Sequence, residues 1–183
     1  MKIIVGLGNP GPEYEKTRHN YGWQLIDRLA EEAGAVWGEN KKFKALTAQS
    51  GDLFFIKPLT FMNNSGQSVE AVLSYYKLLP KTAGLFKIKD ADLSAVLTVL
   101  HDEIDLPLGE WKFSTDSRSG GHRGVQSIID HLKTKNFRRL RLGISTEQRK
   151  IIPTDKFVLG RFSGEEKGAV EKVLSSIKIT TIK

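Results

Sequence analysis

Cysteine is absent from the 183 residues. That excludes a thiolate nucleophile, a thiolate zinc site and a disulfide framework, and it fits a reducing compartment. No stretch approaches the roughly 18 consecutive apolar residues that a membrane-spanning helix needs, so no membrane partner is expected. The opening Lys2-Ile3-Ile4-Val5 runs directly into Gly6, too short for a signal h-region, and a cytoplasmic location is expected. No G-x-S-x-G elbow occurs, which argues against a serine hydrolase of the α/β type. There is no internal repeat and no low-complexity tract. The length suits a single domain with a sizeable core.

Positive charge is present but unevenly spread. The net charge is +7, and residues 109–150 alone carry 10 basic and 4 acidic side chains. A basic excess concentrated in one segment points to a polyanionic partner, nucleic acid first; a merely solvated surface is the alternative.

The apolar pattern alternates between strands and helices. Lys2 to Leu7 reads as a buried strand. Residues 21–34 carry Leu25, Ile26, Leu29, Ala30 and Ala33 at helical spacing, closed by Gly34. Residues 43–50 and 53–57 read as a hairpin across Gly51-Asp52. Asn64 with Gln67 three residues on resembles a capping box for a helix through Tyr76. Residues 80–92 read as an exposed insertion. A strand over 95–101 turns acidic and is expected to stop by Pro107. Further strands are expected over 110–115 and 138–144, the latter with Arg139 and Arg141 outward. Between them comes a helix marked by Val125, Ile128, Ile129 and Leu132. Ser163 and Glu166 form a capping box for a last helix. The fold class expected is α/β, a single domain with a twisted mixed β-sheet and helices on both faces.

The chemistry-bearing residues cluster in loops at strand ends, where ligands bind in open α/β sheets. Gly6-Leu7-Gly8-Asn9-Pro10-Gly11 is a literal G-x-G-x-x-G, but Pro10 and Pro12 prevent the immediate helix that a pyrophosphate site requires. The alternative is a rigid loop presenting Asn9, Tyr14, Arg18, His19 and Asn20. His101, on the strand, points away from Asp102 and reads as structural, and His131 reads as a surface residue. His101, Asp102, Glu103 and Asp105 offer metal-ligand atoms, but alternation along a strand spoils a cage, and no metal is expected. A His–Asp pair activating water is the remaining route, with Asn side chains donating to a developing oxyanion.

Six blocks then carry a resemblance. They are Val5 to Gly11 with Tyr14 and Thr17-Arg18-His19-Asn20, Lys57 to Gly66, His101 to Pro107, Gly120-Gly121-His122, Arg139 to Ile144, and Phe157 to Gly160. In this order, over roughly residues 3–162, the chain resembles bacterial-type peptidyl-tRNA hydrolases. The resemblance implies an ester hydrolase that frees tRNA from prematurely released peptide, without metal or cofactor, usually monomeric. It implies His19 as the general base and Asp102 as the group orienting it. Asn9 and Asn63 would position the peptide and carbonyl, Tyr14 and Met62 would line the cleft, and His122 would sit at its rim. Arg141 would approach tRNA phosphate. The chain departs from the family at Arg123, where Asn is typical, in the Ser117-Arg118-Ser119 loop, and at Ser114 in place of a phosphate-binding Lys. Arg123 could substitute as a donor, and Lys112 and Arg118 could supply the phosphate contact. A second reading is an RNA-binding paralogue with weakened turnover; a metal-dependent hydrolase using the acidic cluster is a third.

Overall fold

The computed structural model describes residues 1–82 and 86–182. Its frame is a seven-stranded mixed sheet. The strands are β1 (Lys2–Gly6), β2 (Gly38–Asn40), β3 (Ala45–Ser50), β4 (Leu53–Pro58), β7 (Leu97–Pro107), β8 (Trp111–Ser114) and β9 (Arg138–Ser145), in the spatial order β2-β3-β4-β1-β7-β9-β8. A separate two-stranded hairpin, β5 (Lys81–Thr82) and β6 (Phe86–Lys87), lies between β4 and β7 in the chain. β1 runs parallel to both β4 and β7, and β7 parallel to β9. The flanking pairs β2–β3, β3–β4 and β8–β9 are antiparallel. The expected insertion over 80–92 falls partly on residues outside those described.

Helices cover both faces, as the alternation of elements implied. α1 (Tyr21–Glu32) and α5 (Gly164–Ser176) bury Leu25, Ile26, Leu29, Val170, Val173 and Leu174 against Leu100, Leu140 and Leu142. On the other face α2 (Ser65–Tyr75) and α3 (Arg123–Leu132) bury Val69, Val72, Leu73, Val125, Ile128 and Leu132 against Val5, Ile56 and Val99. Each such aliphatic side chain contributes roughly 1.5–3 kcal/mol through burial. The short helices α4 (Thr154–Leu159) and α6 (Ile179–Ile182) were not anticipated, and neither was β2.

The glycines of the early loop serve packing. A Cβ on Gly6 would lie 2.6 Å from Ile26 Cγ2, and one on Gly8 2.6 Å from Trp23 Cγ. Their role is to let α1 approach β1, which accounts for the G-x-G without a phosphate.

Four local expectations need correction. β7 does not give out where it turns acidic. It runs eleven residues, and its acidic half stays paired with β9 as far as Pro107–Ser145, across a register irregularity after Glu103. Arg139 does not face solvent. It is among the most buried side chains, its guanidinium donating to the carbonyls of Ser117 and Arg118. The rule that alternate residues face out fails because the loop at Ser117 and Arg118 folds over this position and takes the guanidinium. Asn64 sits at the start of α2 without capping it through its side chain; the Gly66 N–H instead donates to Ser127 Oγ across the α2–α3 crossing. His131 is half-buried at that crossing, close enough to Gly66 for a Cβ there to clash with its ring.

Candidate active site

The carboxyl ends of β1, β4 and β7 converge on a cleft of about 830 Å³. Into it the loop after β1 sends Asn9 and His19. The turn after β4 sends Phe61, Met62 and Asn63. β7 sends Asp102, and the N-terminus of α3 sends His122 and Arg123. Nearly all of these are loop or element-end residues on a rigid sheet, the usual location of reactive groups.

His19 and Asp102 meet. His19 lies in a single 3-10 turn, Arg18–Asn20, and its Nδ1 is 2.9 Å from Asp102 Oδ1 and 3.0 Å from Oδ2. The turn is fastened on either side. Arg18 is drawn away from the cleft: its guanidinium pairs with Glu166 at 2.8 Å and lies over the Phe157 ring at 4.4 Å. Asn20 exchanges two hydrogen bonds with the Asn9 backbone, accepting from its N–H at 2.9 Å and donating to its carbonyl at 3.0 Å. Of the five loop residues, two are therefore structural. Because Nδ1 donates to the carboxylate, His19 Nε2 is left as a lone pair on the cleft side.

Asp102 is 2% exposed and takes a second imidazole donor, His122 Nε2, at 2.9 Å from Oδ1. Burial alone would raise its pKa. The contacts with His19 and His122 outweigh burial and hold the carboxyl far below the usual carboxylate range. His122 is less a rim residue than the resemblance suggested, since its side chain is only 8% exposed. Its Nδ1 accepts from the N–H groups of Gly124 and Val125, at 3.2 and 3.3 Å, capping α3. His101 is fully buried against His122, donating from Nδ1 to the Asp102 carbonyl at 2.7 Å, with Nε2 unpartnered. Burial and the adjacent His122 push its pKa well below the ordinary histidine value.

His19, Asp102 and His122 bring potential metal-ligand atoms within 4.8 Å of one another. The hydrogen bonding does not suit a metal. A nitrogen that accepts two N–H donors leaves the other nitrogen protonated, so His122 Nε2 has no lone pair to give. The His101, Glu103 and Asp105 set does not converge either: Glu103 is engaged by Arg141 at 2.8 Å.

Asn9 is oriented without ambiguity. Its Oδ1 accepts from the Met62 N–H at 2.8 Å, so its amide Nδ2 is the free donor. Asn63 is exposed on the cleft wall. Tyr14 does not line the cleft itself; it stands edge-on to Phe61, with ring centroids 6.5 Å apart. Phe61 was overlooked in the sequence. It is 51% exposed and held at φ 55°, a backbone region that a bulky side chain rarely adopts. Arg149, Asp155, Val158 and Leu159 also line the cleft and were overlooked, because α4 and the turn before it carry no strong periodic signal. Lys112 and Arg141 are not cleft residues. They sit opposite each other across the edge strand β8 and its neighbour β9, and the exposed Arg118 lies in the loop whose carbonyls hold Arg139 of β9.

Fold and cleft together define an α/β protein with a buried His–Asp pair near the ends of its parallel strands, beside an amide held by a backbone N–H. The sequence profile of the family described as peptidyl-tRNA hydrolase matches residues 3–182. The peptidyl-tRNA hydrolase of Aquifex aeolicus is 42% identical over 180 residues, covering 97% of this chain and 84% of that one. The one from Synechococcus elongatus is 40% identical over 181 residues, covering 94% and 80%. A crystal structure of the peptidyl-tRNA hydrolase of Acinetobacter baumannii superposes with a TM-score of 0.80 at 30% identity, covering 96% of this chain and 83% of that one. The chain belongs to the peptidyl-tRNA hydrolase family. No helix among the described residues is long and apolar enough to cross a membrane.

Proposed function

We propose that His19 is the general base with which this peptidyl-tRNA hydrolase cleaves the ester joining a peptide to tRNA. The observation that carries the reading is the 2.9 Å His19–Asp102 contact, which leaves the Nε2 lone pair on the cleft side. Nε2 takes a proton from water as the water oxygen bonds to the ester carbonyl carbon. The carbonyl π electrons move to oxygen, and the Asn9 amide N–H, fixed by Met62, donates to that oxyanion. When the intermediate collapses, the ribose oxygen leaves with its electron pair and recovers the proton from His19. The products are a free peptide carboxyl and tRNA. Asp102 holds the ring in the productive tautomer and stabilises the transient imidazolium.

Substrate recognition divides along the cleft. Phe61, exposed and aromatic, offers a stacking face for a base, with Tyr14 bracing it. Asn63 and Arg123 offer donors beside the scissile bond. The basic strip of Lys112, Arg118 and Arg141 supplies phosphate contacts, in keeping with the charge bias of residues 109–150. In this reading the enzyme acts as a monomer in the cytoplasm, where translation supplies peptidyl-tRNA. The test is release of free tRNA from an N-acyl-aminoacyl-tRNA. Wild type cleaves; His19→Ala, with an unchanged circular dichroism spectrum, does not. Near wild-type turnover by that variant rejects the base assignment.

A further inference from the structure

Asp102 serves two imidazoles, and only one is needed to make a general base. We infer that His122 is a positioning residue, locked by the first turn of α3 as the Nε2–H tautomer, that holds Asp102 in place and limits how strongly it draws on His19. The inference rests on the reading of His19 as the base and adds what regulates it.

The lock follows from the backbone. His122 is the N-cap of a ten-residue helix, with extended φ −71° and ψ 111°, and its Nδ1 faces the N–H groups of both Gly124 and Val125. A proton on Nδ1 would point into two donors at 3.2 and 3.3 Å and at the positive end of the helix dipole. The ring proton is therefore on Nε2, aimed at Asp102 Oδ1 at 2.9 Å. The same oxygen accepts from His19 Nδ1 at 2.9 Å. One carboxylate oxygen thus divides its charge between a fixed donor and a working one. The ring planes of His19 and His122 are tilted by 43° with centroids 4.8 Å apart, so the two rings pack against each other.

The surroundings keep this arrangement consistent. From β7, His101 packs edge-on to His122 with centroids 4.8 Å apart and donates to the Asp102 carbonyl, fixing the strand beneath the carboxylate. Glu103 is neutralised by Arg141 from β9, and the buried Arg139 lies on that same strand. Arg123 follows His122 on α3, while Arg149 and Asp155 stand on the cleft wall. None of these offers Asp102 Oδ1 a hydrogen bond among the described residues, so removing His122 Nε2–H leaves that oxygen to His19 alone.

The cap and the donor can be separated by substitution. In His122→Asn the short amide oxygen can still cap α3, but the side chain no longer reaches Asp102. A carboxylate that has lost one donor holds the His19 imidazolium more tightly. The acid limb of the kcat/KM profile then moves to higher pH, by about half to one unit, with Tm near wild type. In His122→Gln the longer amide can donate to Asp102 but caps poorly. The limb returns toward the wild-type position while Tm falls by a few degrees. A purely structural His122 predicts the opposite pattern, with no movement of the limb in His122→Asn, and that result overturns the inference. Equal displacement of the limb in both variants overturns it too. Long-range proton–nitrogen correlation spectra of histidine-labelled wild type decide the matter even if a variant fails to fold. They should show His122 protonated at Nε2 with Nδ1 bare, and a proton on Nδ1 refutes the lock. Failure of the His19 reading shows separately, as activity retained by His19→Ala.

Discussion

Replacing Asp102 by Asn changes one atom type in a buried site and should switch off the base. The carboxylate accepts from His19 Nδ1 and from His122 Nε2. An amide at that position has one acceptor and one donor. His122 is committed to donating, since its Nδ1 accepts from two backbone N–H groups. The amide oxygen therefore keeps the Oδ1 place, where His122 donates, and the amide N–H2 takes the Oδ2 place, 3.0 Å from His19 Nδ1. To meet a donor, His19 must put its proton on Nε2, and the lone pair that takes a proton from water is gone. General-base catalysis contributes about 10²–10⁴ in rate, so turnover should fall by that much, or about 3–5 kcal/mol in activation free energy. The shape is nearly unchanged, so Tm should move little. The assay is single-turnover release of tRNA from N-acyl-aminoacyl-tRNA near pH 7, alongside a thermal melt. If Asp102→Asn stays within about tenfold of wild type while folded, the tautomer reasoning is wrong.

Three further outcomes follow from the structure. Arg123→Asn should retain or raise turnover, because it restores the neutral donor typical of the family at a cleft-lining position; a loss beyond about tenfold in a steady-state assay shows that the arginine has been recruited into the site. Arg139→Met should destabilise the fold by about 2–4 kcal/mol, read as a fall in Tm of roughly 5–15 °C, because it strips the Ser117 and Arg118 carbonyls of their donor; an unchanged Tm contradicts this. Stability should also fall on acidification. His101 has its pKa pushed well below the ordinary value, first by burial and then by His122. Below about pH 6.5 the unfolded chain takes up a proton that the folded one refuses. The contribution is therefore complete above that pH and is lost at up to about 1.4 kcal/mol per pH unit beneath it. The depressed Asp102 carboxyl adds a further loss below its ordinary range near pH 4. Urea midpoints at pH 7.5 and 5.5 test this: equal values for wild type refute it, and His101→Gln should flatten the difference.

The parts of this molecule that could be read from sequence are those with short-range signals. β1, the β3–β4 hairpin and α1 announce themselves by apolar spacing and Gly51. The Ser163–Glu166 capping box is local chemistry and forms as expected. The pairing of His19 with Asp102 joins residues 83 apart, and only the block resemblance brought them together. The rest depends on tertiary context. The acidic half of β7 stays a strand because β9 supplies its partners, which no propensity records. Arg139 reads as outward until the loop at Ser117 and Arg118 is seen to fold over it. Phe61 carries no local signal of its exposure, which follows from a positive φ that places it on the cleft wall. The second bond of Asp102 was not legible because His122, read as a loop residue next to a helix start, lies 20 residues away in the chain.

The most direct test of the account compares two titrations on one wild-type sample. One is the pH dependence of kcat/KM for N-acyl-aminoacyl-tRNA, which reports the essential base of the free enzyme. The other is the titration of the His19 ring followed by NMR. If His19 takes the proton from water, the acid limb of the rate profile and the His19 titration have the same midpoint. Midpoints more than about one pH unit apart, well beyond the reach of measurement error on such shifts, contradict the claim.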